Sequence, residues 1–204
     1  MRGSNRWCVV ALAIASAACD AAQPASIAES RAFQVAVSVV PDTASAWARH
    51  VVAVSDHEGL PFAIVDKQAA LMVVYLGDGR VAGTTPVLLG RMPGNHASPG
   101  VGERTRLRQL RPEDRTTPAG RFATQPGHNL AGEDIVWMDY ASALAIHRLR
   151  PGPPNERRAQ RLASPTAADH RISAGCVVVP VPFYEAVVRE VLGHGPGVVY
   201  VLPE

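Results

Sequence analysis

The sequence predicts a mainly β fold, a sandwich or barrel with one or two flanking helices. Short runs rich in Val, Ile and Leu recur from Phe62 onward between Gly, Asp and Pro turn residues. Only two stretches, 43–57 and 182–192, set their apolar residues at helical spacing. Setting aside an N-terminal leader leaves about 185 residues without a visible repeat, enough for one domain with a real core.

Residues 1–18 read as a signal peptide. Arg2 and Arg6 precede an apolar run, 7–18, of about 12 residues, well short of the roughly 20 that span a bilayer. Two cuts fit. Ala15-Ser16-Ala17 has the small-x-small pattern of ordinary cleavage, and Ser16-Ala17-Ala18-Cys19 resembles a lipobox that would make Cys19 the lipidated first residue. In that case Asp20 beside the lipid resembles an inner-membrane retention signal. Residues 19–42 form a small, polar tether. Residues 43–60 hold an N-terminal helix with Ala46, Trp47, His50, Val51 and Val54 on one face and Asp42 or Thr43 as its cap. The domain proper runs over 61–204.

Within it, strands are expected over 62–65, 70–76 and 80–89, with Gly77-Asp78-Gly79 as the turn between the last two. Residues 90–118 fill with Gly, Pro and Arg and are too long for a plain connector, which points to a functional flap. Strands resume over 121–124, 135–139, 143–149, 176–179 and 198–202. Pro182 opens a second helix whose stripe is Phe183, Ala186, Val187 and Val191, and Gly193 ends it.

Removing residues 1–18 leaves basic and acidic residues equal in number. A neutral chain without a basic block alternating with aromatics has no footprint for nucleic acid. Export also turns the cysteine count into an argument. Of three cysteines only Cys19 and Cys176 remain, and a lipidated Cys19 cannot pair, so Cys176 is a lone thiol in an oxidising compartment. It is either a small buried hydrophobe or a nucleophile. The small residues of Ser173-Ala174-Gly175-Cys176 favour the second reading, since they leave room for a substrate backbone.

Absences prune the rival chemistries. The sequence has no His-Glu-x-x-His, no Cys-x-x-Cys and no phosphate-cradling glycine loop. The single lysine, Lys67, has Ile64 where a Ser-x-x-Lys nucleophile would stand. Among seven histidines, His50 belongs to a helix face, and His57, His96, His128 and His194 stand in turn-like contexts. His170 is close to Cys176 but shares a polar loop. His147 ends a strand-like alternation, from which a strand can aim it inward.

Taken together, the stretch 62–202 resembles the L,D-transpeptidase catalytic domain of bacterial peptidoglycan enzymes. Four segments carry the resemblance: Ile64-Val65-Asp66-Lys67 leading into 71–75, Thr84-Thr85-Pro86-Val87 to Gly90, Thr117-Pro118-Ala119-Gly120-Arg121-Phe122, and Ile146-His147 followed by Arg171-Ile172-Ser173-Ala174-Gly175-Cys176. The resemblance implies a Cys176 nucleophile with His147 as base, the carbonyl of Arg148 orienting the imidazole, and the N–H groups of Gly175 and Cys176 as oxyanion donors. Ser173 would hydrogen-bond the site or shape a turn, and Arg171 would either neutralise a substrate carboxylate or brace the loop. The reaction implied joins two stem peptides between their third residues through a Cys176 thioester. Its alternatives on the same site are an L,D-carboxypeptidase, a cross-link amidase and a catalytically degenerate wall-binding lipoprotein. No metal or cofactor is implied, the partners are stem peptides of the wall, and the place is the periplasm or cell envelope, with inner-membrane anchoring if Cys19 is lipidated. Two departures stand out: Ala174 replaces the family's common second histidine, and Val178 its common Asn or Arg. His147 lies 29 residues before Cys176, a longer separation than the family usually has, and 151–168 reads as an insertion in the substrate wall.

Overall fold

A computed structural model of the chain describes residues 40–204. The signal peptide, Cys19 and most of the tether lie outside the described residues. The fold is mainly β, as expected. One sheet has eight strands in the order β3-β2-β1-β10-β5-β6-β7-β9, formed by β1 (Phe62–Asp66), β2 (Leu71–Tyr75), β3 (Val81–Pro86), β5 (Gly120–His128), β6 (Asp134–Asp139), β7 (Leu144–Arg148), β9 (Val177–Val179) and β10 (Gly197–Val201). A second sheet pairs only β4 (Leu89–Gly90) with β8 (Arg171–Ser173), in parallel.

The long strand β5 turns the large sheet into two layers. Its first half, Gly120 to Thr124, pairs with β10, and its second half, Gln125 to His128, pairs with β6. Alternate residues of the two layers then meet in one core: Ala63, Val65, Met72, Val74, Val199 and Val201 from one, Val136, Met138, Leu144, Ile146, Val177 and Val179 from the other. The intervening residues of β1, β2 and β10 (Phe62, Ile64, Val73, Tyr75, Val198 and Tyr200) face the other way and receive Ala44, Ala48 and Val51 of helix α1 (Asp42–Ala53). Strands β1 and β10 are therefore buried along their whole length, which is why they read as unbroken apolar runs.

Helix α1 stops earlier than the pattern predicts. Ser55, Glu58 and Gly59 take positive φ and coil 54–59 into turns. Neither Asp42 nor Thr43 caps it: Pro41 is the N-cap, no side chain bonds the first turn, and Asp42 sits inside that turn, where its charge meets the positive end of the helix. The expected strand 80–89 is interrupted after Pro86, so that β4 can leave the large sheet and join β8.

The second helix spans 181–192 (α4), and its middle, Tyr184–Val188, is a π turn. The wider turn rotates the face behind it. Phe183, Tyr184, Val188 and Leu192 are buried in the core, while Val187 and Val191 of the expected stripe are only partly buried. The flap contains helix α2 (Val101–Arg106), held by Arg104, whose Nε donates to the buried Asp114 at 2.7 Å. The arginine pulls the Asp114 carboxyl far below the usual carboxylate range. Helix α3 (Arg158–Leu162) lies in the insertion.

Lys67 carries its charge on a side chain that is fully buried. Its ammonium donates to Gly94 O at 2.6 Å, Asn95 Oδ1 at 2.9 Å and Thr117 O at 3.2 Å, and lies 3.3 Å from Glu204 Oε1. Three hydrogens on one compact centre meet three converging acceptors, a geometry that the flat fork of arginine cannot reproduce. That accounts for the one lysine in a chain whose other basic residues are all arginine. Lys67→Ala should lower the unfolding free energy by about 3 kcal/mol, read from urea unfolding; a loss under about 1 kcal/mol would show that water or a neighbour replaces the ammonium.

Candidate active site

The register of β7 on β9 places the site. Ile146 lies opposite Val177, and both point into the core with no exposure. The neighbouring His147 and Cys176 therefore face outward, and both line a cleft of about 510 Å³. Gly102, Glu103, Thr105 and Arg106 of the flap line its wall, which fits the flap read from composition. Gly102 is needed there, since a Cβ on it would lie 1.8 Å from the Ala141 carbonyl on which α2 rests. Trp137 and Tyr140 also line the cleft, their rings edge to face at 5.0 Å.

His147 is fixed from behind. Its Nδ1–H donates to the Arg148 carbonyl at 2.8 Å, which leaves Nε2 as the basic nitrogen. The Arg148 side chain locks that carbonyl in place: it pairs with Asp134 and Glu185 and lies 4.6 Å over the Tyr184 ring. Burial lowers the His147 pKa to about 4, with the charges of Arg150 and Arg158 adding to the effect and the Arg148 carbonyl opposing it. Burial likewise pushes the Cys176 thiol up, against the Ala145 backbone and the Arg150 charge. The resting pair is thus a thiol and a neutral imidazole. The thiol makes one long contact, 3.5 Å to Ala143 O.

The loop before the sulfur is held by its neighbours. Ser173 Oγ accepts the Gly175 N–H at 3.1 Å and donates to Cys176 O at 2.7 Å. The Gly175 N–H, expected as an oxyanion donor, is bonded to Ser173 in this structure. Thr117, fully buried, accepts the Gly90 N–H at 2.8 Å and donates its hydroxyl to Gly175 O at 2.7 Å. Gly175 itself has φ +130°, and a Cβ there would stand 2.9 Å from Thr116 O, so the position needs glycine.

Arg171 does not reach the cleft. Its Nη2 meets both oxygens of Glu204, at 2.8 and 2.7 Å, beside Lys67, so of its two expected roles the structure favours the brace. The insertion 151–168 is absent from the cleft lining as well. Its Leu162 packs with Leu88, Ile172 and Val178 on the outer side of β9. Val178, 2% exposed, is thus an apolar floor under α3, and a polar residue there would be buried without a partner. Ala174 is exposed.

The other histidines separate cleanly. His57 meets Gly77 O at 3.0 Å, and buried His170 bridges Val87 O and Ser164 O at 2.9 and 3.0 Å. His128, read as a turn residue, lines the cleft wall. Arg150 does too, and nothing in its Pro/Gly-flanked sequence marked it.

No family model matches the chain, and no curated protein does. Solved structures similar to it include the catalytic domain of the E. faecium L,D-transpeptidase, 22% identical over 69% of this chain and 95% of that one, with a TM-score of 0.38. A second is the L,D-transpeptidase from Xylanimonas cellulosilytica, 17% identical over 70% of this chain and 60% of that one, TM-score 0.42. A third is the helical cell shape determining protein Pgp2 from Campylobacter jejuni, 14% identical over 71% and 48%, TM-score 0.46. The chain spans about half of the last one's length.

Thr117→Val should cost about 1–3 kcal/mol, because it leaves the Gly90 N–H and the Gly175 carbonyl buried without partners; thermal unfolding that matches wild type would show the bridge to be dispensable. The lowered His147 pKa means that between about pH 4 and 6.5 the unfolded chain binds more protons than the folded one. Stability should therefore rise with pH across that window and fall as pH is lowered through it. His147→Gln should flatten that slope in urea unfolding, and an unaltered slope would place the proton uptake elsewhere.

Proposed function

We propose that the chain is an exported peptidoglycan L,D-transpeptidase, carried to the periplasm or envelope by its leader and held at the inner membrane if Cys19 is lipidated. The observation that carries this reading is the pairing at the cleft. A half-buried thiol just before β9 and an imidazole on the adjacent parallel strand β7, its other nitrogen fixed by a carbonyl, open into one space. The four segments behind the resemblance add support because they converge there: Lys67 holds Thr117, Thr117 holds both Gly90 and Gly175, and β7 presents the histidine.

As substrate enters, Cys176 Sγ attacks the carbonyl carbon of a stem peptide's third residue, and its proton passes to His147 Nε2. The S–C bond forms, the peptide C–N bond breaks, and the leaving D-alanine nitrogen takes the proton from the imidazolium. An amine of a second stem then attacks the thioester. The new C–N bond forms, the S–C bond breaks, and the amine's proton returns to sulfur through His147. A neutral resting pair suits this order, since no thiolate waits exposed to oxidants between turnovers.

Mass spectrometry of the products from a disaccharide tetrapeptide tests the proposal. A dimer lighter than two substrates by one alanine is the expected product, and Cys176→Ala should form none. A tripeptide alone would replace the reading with a carboxypeptidase. Unchanged substrate would favour an amidase on existing cross-links or a wall-binding protein.

A further inference from the structure

Four arginines lie in or beside the cleft, and three are already paired; Arg158, whose charge reaches His147, is bound by Glu156. Arg106 is bound by Glu103, and Arg148 by Asp134 and Glu185. Arg150 differs. Its guanidinium forms an ion pair with Glu133, Nε to Oε2 at 2.7 Å, yet among the described residues none of its nitrogens makes a hydrogen bond, and Nε is left buried without one. The group is held nonetheless. Glu133 is fixed by Asn129 Nδ2 at 2.6 Å, and the preceding Leu149 N–H donates to Val179 O at 2.7 Å, which extends the β7–β9 pairing to the residue before Arg150. The side chain is about one-third exposed and lines the same cleft as Cys176 and His147.

We propose that Arg150 is a specificity-determining residue: it receives the free carboxylate of the amino acid that leaves when Cys176 is acylated. This rests on the acyl-transfer reading above. The leaving nitrogen must come within hydrogen-bond reach of His147 to take its proton. In an α-amino acid the carboxyl carbon is two bonds from that nitrogen, so the carboxylate enters the part of the cleft beside His147. A planar guanidinium with both terminal nitrogens open matches a carboxylate in fork geometry. Arg171, the other arginine considered for this task, is occupied by Glu204. The arginine whose charge helps keep His147 neutral thus also grips the departing group.

Two measurements test this. The first compares acylation of Cys176 by tetrapeptide ending in a free acid and by its C-terminal carboxamide. Wild type should prefer the acid, and Arg150→Gln should reduce that preference about tenfold or more, with Arg150→Lys restoring part of it. Equal rates on acid and amide in wild type, or a preference that survives Arg150→Gln, would overturn the proposal. The second alkylates Cys176 with iodoacetate and with neutral iodoacetamide. Arg150→Gln should lower the iodoacetate-to-iodoacetamide rate ratio several-fold, on the order of tenfold at low salt. Because both reagents consume the same thiolate, the ratio cancels any change in the Cys176 pKa. If the wild type processes neither peptide, the acyl-transfer reading fails, and the alkylation ratio still decides whether Arg150 attracts a carboxylate to the sulfur. An unchanged ratio overturns that as well.

Discussion

The hydroxyl of Thr117 is the interaction on which the cysteine's position depends. One buried oxygen accepts from Gly90 and donates to Gly175, joining the edge strand β4 to the loop that carries Cys176. The backbone of Thr117 is in turn gripped by Lys67 at the end of β1. A hydroxyl can do both because it is donor and acceptor at once. Each bond is buried, so each partner would be costly to strand. Four segments remote in sequence thereby meet behind Gly175, and the strained φ of that glycine is held by bonds on both of its sides.

The same construction shapes the electrostatics. Rigid backbone packed around the sulfur removes water from it, and at both members of the pair desolvation outweighs every other influence. Charge is kept just outside. The Arg148 cluster anchors the carbonyl behind the imidazole, and Arg150 faces the cleft. Positive charge on that side depresses the histidine and eases the cysteine toward thiolate, so one arginine acts on both groups at once.

Much of this architecture was legible in the sequence, and the gaps have physical causes. The strands of the buried layers declared themselves because burial on both faces demands long apolar runs, as in Phe62–Asp66 and Gly197–Val201. His147 and Cys176 stood out because residue type and local context agree. The two-residue β4 and three-residue β8 did not, since strands that short carry no periodicity. The face of α4 was misread because a π turn breaks the 3.6-residue rule on which a stripe depends. The bond from the Gly175 N–H to Ser173 could not be read in advance, because only coordinates reveal it. Arg171 had two roles open, and its ion pair with a glutamate 33 residues away is invisible to local pattern. Arg150 escaped notice because a guanidinium's place in a cleft is defined by what surrounds it.

The apolar floor under α3 ties two remote parts of the chain to one another. Val178 and the 151–168 insertion are in contact through Leu162, so they form one trait rather than two. Neither can be changed alone without cost: a charged residue at 178 would be buried beneath the insertion, and deleting the insertion would bare Leu88, Ile172 and Val178 to solvent. The two are therefore coupled, and their energies in a double substitution would not add.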